Sequence, residues 1–231
     1  RSALTEAGWH AAHRSAFGRS LIDQPLMRAV LTDLALEVEA AQWLGLRLAA
    51  AVDRGEHDLR RIALPISKYY VCKRAPGQIF EAMECLGGAG YVEESGLPRL
   101  YREAPVNSIW EGSGNVNALD LLRALATSPD SLDAWLGEVA PVRGIDPAAD
   151  QALVGVLDAL AGSPEDLEPR ARWLAEQMAQ LLELSQLVQH APEPITEGFL
   201  ARRFGRTPAT VGAVQLGGDA DVLERSLLTT I

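Results

Sequence analysis

A glutamate next to a Gly-Ser-Gly turn is the first candidate for a catalytic group. Glu111 lies in the segment IWEGSGN, after the apolar residues Ile109 and Trp110 and before small residues. A carboxylate beside an indole can occupy an apolar cleft, where it binds a proton more readily, as a general base must. The alternative is an ordinary residue at a helix N-terminus, where the helix dipole favours a negative charge.

The Gly112-Ser113-Gly114 turn is not a nucleophile elbow. That motif needs a glycine two residues on either side of the serine and a preceding strand, and this chain has Glu111 and Asn115 at those positions. If a helix begins here, Ser113 and Asn115 suit an anionic or ribose-bearing ligand at its N-terminus. A simple helix cap explains the same residues equally well.

A second glycine-rich segment, Gly87-Gly88-Ala89-Gly90, also lacks the known phosphate-binding patterns. It has no Gly-Lys-Ser/Thr and follows a predicted helix rather than a strand, so it is neither a P-loop nor a Rossmann turn. It is typical of a helix end, and its glycines would also let a ligand approach the backbone.

Other polar clusters give weaker signals. His10 and His13 are three residues apart, but no carboxylate or cysteine completes a ligand set, so we predict no metal site. Arg202, Arg203 and Arg206 form a basic cluster in an acidic tail. A solvated face or an acid-pairing surface explains this cluster better than a nucleic-acid contact does.

Helices must position these groups. Pro25 suits the first turn of a long helix that ends near Gly55, and a third helical stretch covers about 57–86. We expect Pro65 to kink that stretch and Pro76-Gly77 to interrupt it. A further helix is predicted from Ser113 to Ala126. No strand is predicted, so the fold class is all-α.

The two parts of the chain differ in charge. Residues 1–126 carry 14 Lys and Arg against 15 Asp and Glu, whereas residues 127–231 carry 7 against 16. We therefore predict two domains, an antiparallel helical bundle over 1–126 and a helical C-terminal extension over 127–231. In the extension, Asp146-Pro147, Ser163-Pro164 and Thr207-Pro208 are typical helix starts, a long helix runs to about His190, and APEPITE is a linker.

The overall composition describes an ordinary globular protein of the cytoplasm. The 231 residues are 48 % hydrophobic, and the formal net charge of −10 argues against a polyanion partner for the chain as a whole. Cys72 and Cys85 have no metal-binding spacing and are expected to be reduced, buried thiols. No signal peptide or membrane-spanning run is visible. Because the chain starts inside a predicted helix without a Met, we expect it to be a fragment of a longer protein.

Several motifs, in this order, resemble one enzyme family. They are HRSAFG at 13–18, ECLGGAGY at 84–91, LPRLYREAPVNSIWEGSGN at 97–115 and a closing LDLLRAL. Together they resemble the carboxy-terminal helical domain of the acyl-CoA dehydrogenase superfamily over residues 1–126. EESGLPRLYRE, VNSIWEGSGN and the extra tail resemble its AidB-like, alkylation-response branch.

The resemblance implies an FAD-dependent oxidoreductase that introduces a double bond into an acyl-CoA thioester. It implies that Glu111 removes the α-proton of the acyl group while the β-hydrogen leaves as hydride to the flavin. It also implies a homo-oligomer, dimeric or tetrameric, that shares its FAD sites between subunits. The implied cofactor contacts are Arg14 and Phe17 to the neighbour's flavin nucleotide, Gly87 and Gly88 to the adenosine side, and Ser113 and Asn115 to the FAD beside Glu111.

The sequence departs from the family pattern at some of these positions. Glu84 replaces a common Gln before the glycine turn, and its negative charge is a poor neighbour for a pyrophosphate. Ser113 stands in place of the usual threonine, which is a conservative exchange. The AidB-like branch also implies an alternative function, a DNA-binding alkylation-protection flavoprotein with little dehydrogenase activity. The tail has no lysine, so only the arginine cluster could supply phosphate contacts there.

Overall fold

The computed structural model describes residues 1–205, 210–214 and 218–227, and these are almost entirely helical. Single 3₁₀ turns lie at Leu21–Asp23, Glu93–Ser95, Ala140–Val142 and Glu168–Arg170. The other elements are α1 (Ser2–His13), β1 (Ser15–Ala16), β2 (Arg19–Ser20), α2 (Pro25–Asp53), α3 (His57–Cys85), α4 (Gly88–Tyr91), α5 (Leu97–Asn107), α6 (Gly114–Thr127), α7 (Pro129–Val139), α8 (Pro147–Leu160), α9 (Pro164–Leu167), α10 (Ala171–His190), α11 (Glu193–Arg203) and α12 (Asp219–Leu227).

The predicted all-α class is confirmed, with one small exception. β1 and β2 form an antiparallel hairpin in which Ser15 lies opposite Ser20 and Ala16 opposite Arg19. The turn residues Phe17 and Gly18 both have positive φ, 53° and 83°, as a tight hairpin turn requires. Strands of two residues are too short to show an alternating pattern, so the sequence gives no strand signal here.

The chain divides into two compact units. The first comprises Arg1–Glu39, Arg74–Pro105 and Glu193–Ile231, and the second comprises Ala40–Lys73 and Val106–Pro192. Each of the long helices α2 and α3 contributes one part to each unit. The division at residue 126 that the charge pattern suggests stays a prediction.

Helix α3 is continuous, so the predicted interruption at Pro76-Gly77 is wrong. A proline inside a helix costs about 3 kcal/mol because it removes a hydrogen bond and crowds the preceding turn. Tyr69 and Tyr70 before Pro76, and Ala82 and Cys85 after it, are buried. Most of a helix's stability in a protein comes from such packing, which outweighs the local cost.

The core of the second unit is built around α10. This helix packs against α6, α7 and α8, and Leu174, Met178 and Leu181 on it are buried. The predicted end of the long helix at His190 is therefore confirmed, but its predicted start at Ser163-Pro164 is not, because α9 and a 3₁₀ turn precede α10. Trp135 on α7 is fully buried in the same unit. Contact with α10 holds α6, and α6 directly follows the segment that contains Glu111.

The APEPITE segment is not a linker. Helix α11 begins at Glu193, within that segment, and Ile195 and Phe199 on it are buried. Pro194 fits because a proline in the first turn of a helix loses no hydrogen bond. The helix start predicted at Thr207-Pro208 lies outside the described residues.

Both cysteines are free, and the predicted burial is right for Cys85 and wrong for Cys72. Cys85 is buried, and burial, followed by the nearby charges of Glu81 and Glu84, raises its pKa to about 12. Cys72 is only half-buried, and burial raises its pKa as well. Among the helices of the described residues, none combines the length and the apolar character needed to cross a lipid bilayer.

We expect Asp146→Ala to lower the free energy of unfolding by about 1 kcal/mol. The Asp146 carboxylate accepts hydrogen bonds from the backbone N–H groups of Ala148 at 2.7 Å and Ala149 at 3.3 Å, and so caps α8. Urea unfolding followed by circular dichroism measures the change. Gln151→Ala, at an exposed position of the same helix, is the control and should change stability by less than about 0.5 kcal/mol. Equal effects of the two variants would contradict the capping role.

Candidate functional site

Glu111 occupies a strained turn between α5 and α6. Its φ is +53°, in the left-handed region, and Gly112 follows with a φ of +112°. A left-handed conformation costs a residue other than glycine about 1–2 kcal/mol. Residues held in this conformation concentrate at functional sites, where the surrounding structure imposes it.

Two side chains impose the conformation of this turn. The Lys68 ammonium on α3 donates to the carbonyl oxygens of Trp110 and Gly112, each at 2.5 Å. The Asn117 amide on α6 donates to the carbonyl oxygens of Gly112 at 2.6 Å and Ser113 at 3.0 Å. A hydrogen bond from a charged donor contributes about 1.5–3 kcal/mol, so these contacts offset the strain at Glu111.

Helix α6 begins at Gly114, close to the flexible end of the Lys73 side chain and to the Tyr69 ring of α3. A Cβ there would lie 2.6 Å from Cε of Lys73 and 3.5 Å from Cε2 of Tyr69. Ser113 is the N-cap residue, but its hydroxyl makes no capping hydrogen bond, and the residue is exposed. The simple-cap interpretation of Ser113 is therefore wrong for its side chain, which leaves the hydroxyl open to a ligand.

Asn115 is approached by an arginine from the tail. Arg172 on α10 donates from Nη1 to Oδ1 of Asn115 at 3.5 Å and from Nε to the hydroxyl of Tyr69 at 3.1 Å. Its guanidinium also lies 5.7 Å from the centre of the Tyr69 ring. A positive group thus lies at the N-terminal end of α6, where backbone N–H groups already favour anions.

The apolar cleft expected around Glu111 is not formed by the described residues of this unit. Glu111 is exposed, and Trp110 and Ile109 are 57 % and 63 % exposed. Nor does Glu111 belong to the first turn of α6, since it precedes the N-cap by two residues. The turn presents a carboxylate and two large apolar side chains together on the surface.

The HRSAFG segment forms the β1–β2 hairpin of the first unit. The backbone N–H of Leu21 donates to the carbonyl of Arg14 at 2.8 Å, and the Gln24 amide donates to the carbonyl of Ala16 at 3.0 Å. Arg14 is exposed, and Phe17 at the turn is 97 % exposed. Phe17 and Glu111 are the non-glycine residues with positive φ in the described chain, and the motifs predict both as site residues.

Gly87 and Gly88 present bare backbone at the end of α3. Gly87 has a φ of +59°, and a Cβ on either residue would meet no atom within 4 Å. Gly90, in contrast, is buried, and a Cβ there would lie 2.1 Å from the carbonyl oxygen of Met83. The turn can accept a flat group against its backbone.

Acidic groups lie beside this glycine turn. Glu84 and Glu81 line a concavity of 320 Å³ together with Cys85. Partial burial, then the charges of Glu84 and Asp33, raise the pKa of Glu81. The negative charges are consistent with the poor fit to a pyrophosphate expected from Glu84 in place of Gln, which stays a prediction.

The predicted site residues fall into two groups. Glu111, Ser113 and Asn115 lie on one continuous segment of the second unit, whereas the other four lie in the first unit: Arg14, Phe17, Gly87 and Gly88. Lys68 and Arg172, which contact the Glu111–Asn115 segment, are not among the predicted site residues. Lys68 and Lys73 are the chain's two lysines and both lie on α3, but nothing in the sequence distinguishes Lys68 as a contact of this segment.

The arginine cluster of the tail pairs with acids inside the first unit. Arg202 donates from Nε to Oδ2 of Asp33 at 2.5 Å, and Arg203 forms an ion pair with Glu37. Burial lowers the pKa of Arg203 to about 10, which leaves it charged at neutral pH. A solvated face is therefore wrong for these two arginines, and the acid-pairing alternative is confirmed. Arg206 lies outside the described residues, and DNA phosphates could reach Arg202 and Arg203 only if the buried ion pairs broke.

Comparison with known proteins gives consistent matches. Residues 1–126 match the family described as "Acyl-CoA dehydrogenase, C-terminal domain". The chain is 41 % identical over 203 residues to the putative acyl-CoA dehydrogenase AidB of Escherichia coli K12, which covers 86 % of this chain and 37 % of that protein.

Two solved structures share the fold. Caenorhabditis elegans ACDH-11, solved with C11-CoA, aligns with a TM-score of 0.75 at 24 % identity, over 87 % of this chain and 39 % of that one. An acyl-CoA dehydrogenase of Bacillus anthracis, solved with FAD, aligns with a TM-score of 0.63 at 15 % identity, over 89 % and 40 %. The chain thus spans less than half the length of each of these proteins.

Proposed function

The chain belongs to the acyl-CoA dehydrogenase family, and on this premise we propose that it is the carboxy-terminal part of an FAD-dependent enzyme that dehydrogenates an acyl-CoA thioester between its α and β carbons. The predicted resemblance, including that to the AidB-like branch, is confirmed by the family match and by the Escherichia coli relative. The observation that carries the proposal is the exposed carboxylate of Glu111, held in a left-handed turn.

The residues of this chain fit the cofactor at most of the predicted positions. Phe17 offers an aromatic face that its own unit does not cover, and Arg14 next to it offers a positive charge. Ser113 has a free hydroxyl at a helix N-terminus. Gly87 and Gly88 suit the adenosine rather than the pyrophosphate, because Glu84 lies beside them.

The proposed chemistry divides the work between protein and cofactor. The Glu111 carboxylate accepts the α-hydrogen of the acyl group as a proton. FAD, when bound, supplies the acceptor for the electron pair and the remaining hydrogen. Lys68 and Asn117 donate to backbone carbonyls of the turn that carries Glu111. Ile109 and Trp110 give an acyl chain an apolar surface to cover.

A relative supports the substrate class, and two exposed residues of this chain support the partner. ACDH-11 was solved with C11-CoA, so we propose an acyl-CoA thioester as the substrate of this protein too. Because Phe17 and Arg14 are exposed, we propose that they contact the flavin nucleotide of a second copy, which makes the enzyme a homo-oligomer. The DNA-binding alternative gains no support, since Arg202 and Arg203 are occupied by internal acids.

Anaerobic mixing of the whole flavin-loaded protein with acyl-CoA thioesters of increasing chain length tests this function. We expect the yellow flavin to bleach with at least one chain length and the matching 2-enoyl-CoA to form in equal amount, detected by mass spectrometry. Free coenzyme A is the control and should leave the absorbance unchanged. Loaded flavin that neither bleaches nor yields an enoyl-CoA with any chain length would contradict the proposal.

A further inference from the structure

Lys68 and Asn117 donate to backbone carbonyls before and after Glu111, and we call this pair the carbonyl clamp. In the described contacts, neither side chain touches the Glu111 carboxylate. Lys68 reaches from α3 across 42 residues of sequence to the carbonyl of Trp110, and across 44 to that of Gly112. Asn117 reaches back from α6 to the carbonyls of Gly112 and Ser113. The carbonyl oxygen of Gly112 therefore accepts hydrogen bonds from both Lys68 and Asn117.

The acceptors determine what the clamp controls. The carbonyl of Trp110 belongs to the peptide group whose nitrogen is that of Glu111, so fixing this group fixes one side of the rotation φ at Glu111. The carbonyl of Gly112 belongs to the peptide group between Gly112 and Ser113, so the bonds to it fix that group. Holding these two groups restricts the backbone rotations at Glu111 and Gly112, and Glu111 lies between them with its left-handed φ of +53°.

An ordinary structural role does not account for Lys68. Arg61 on the same helix pairs with a carboxylate, Asp120, as basic side chains on helices commonly do. Lys68 is half-buried, and its ammonium donates instead to two backbone carbonyls of one strained turn, at short distances. A charged donor on a neutral acceptor makes a strong hydrogen bond, suited to fixing a position.

We propose that Lys68, with Asn117, is a positioning residue that sets the direction of the Glu111 carboxylate for proton abstraction. This inference rests on the proposed function. Lys68 takes no part in the proton transfer and does not contact the substrate. It acts on the rate of the chemical step, because a small misplacement of a reacting group can cost about 100-fold in rate.

The test compares Lys68→Met, Lys68→Arg and Arg143→Met in the whole protein. Lys68→Met removes the donors and is expected to lower kcat by about 10- to 100-fold, with KM changed by less than threefold. The primary isotope effect for α-deuterated substrate should rise, because proton abstraction becomes slower. Lys68→Arg keeps the charged donors and should restore kcat to within a few-fold. Arg143→Met removes one positive charge at an exposed position of the same unit and should have no effect.

Other outcomes would overturn the inference. A kcat within twofold of the parent in Lys68→Met, or a rise in KM with kcat unchanged, shows that Lys68 does not position the base. If Lys68→Met does not fold, Lys68→Ala, which also removes the donors, carries the same test. Asn117→Asp, which turns the donor into an acceptor, should reproduce the loss of kcat.

The failure of this inference is distinguishable from failure of the proposed function. If Glu111→Gln abolishes turnover but Lys68→Met does not change it, only the positioning role falls. If Glu111→Gln keeps its turnover, the assignment of Glu111 as the base is wrong. A crystal structure of Lys68→Met then decides whether Lys68 holds the backbone turn at Glu111. We expect Glu111 to leave the left-handed region in that variant, and an unchanged turn would overturn the clamp.

Discussion

Replacing Glu111 with Gln should lower the turnover of acyl-CoA by about 10²- to 10⁴-fold, the usual contribution of a general base. Glutamine has nearly the same size and can keep the strained backbone, but its amide oxygen does not accept a proton at neutral pH. The whole protein should keep its flavin and its KM, because the change removes a proton acceptor and no binding group. Single-turnover flavin bleaching under anaerobic conditions measures the chemical step directly.

Two further variants sharpen that result. Glu6→Gln makes the same chemical change at an exposed position of α1 and should leave turnover unaltered. Glu111→Asp keeps a carboxylate but shortens its reach, and aspartate tolerates the left-handed conformation better than most residues. It should therefore recover part of the rate. Full turnover by flavin-loaded Glu111→Gln would remove Glu111 from the mechanism.

Local rules made much of the helical fold predictable. Pro25 begins α2, Gly55 follows its end, and Asp146 before Pro147 caps α8, because each depends on a few neighbouring residues. The error in α3 has a different origin. Pro76 lies inside an unbroken α3, because packing against residues distant in sequence decides whether a helix continues. Pro194 lies in the first turn of α11, where a proline is favourable, so the linker prediction overlooked a local helix signal.

The candidate site was predictable only in part, and for a related reason. Motif order identifies Glu111 and Ser113, since these residues are contiguous in sequence. It does not show that Glu111 has a positive φ or that its carboxylate is exposed. Lys68 lies more than 40 residues away from the turn it binds, and no periodicity along α3 distinguishes a lysine that contacts a carbonyl from one that contacts water.

Replacing Arg202 with Met should lower the free energy of unfolding by about 3–5 kcal/mol, the usual effect of leaving a buried charge without its partner. Side-chain exposure is 6 % for Arg202 and 2 % for Asp33, so water does not compensate the carboxylate that remains. Asp33 also accepts a hydrogen bond from the backbone N–H of Gly212 at 2.9 Å. This one neutral donor does not neutralise the charge of the Asp33 carboxylate. Denaturant unfolding of the whole protein, followed by circular dichroism, measures the loss.

Asp33, which pairs with Arg202, and the more exposed ion pair Arg225–Glu39 provide the controls. The double variant Arg202→Met/Asp33→Asn removes both charges and should recover a large part of the lost stability, because a neutral pair costs less to bury than a single charge. Arg225→Met breaks the more exposed ion pair with Glu39 and should cost about 1 kcal/mol or less. If Arg202→Met cost no more than Arg225→Met, then the Arg202–Asp33 pair would not be an internal tie between α11 and α2. Arg202 would then lack a stabilising internal partner, and a contact between Arg202 and a polyanion would no longer have to break a strong ion pair.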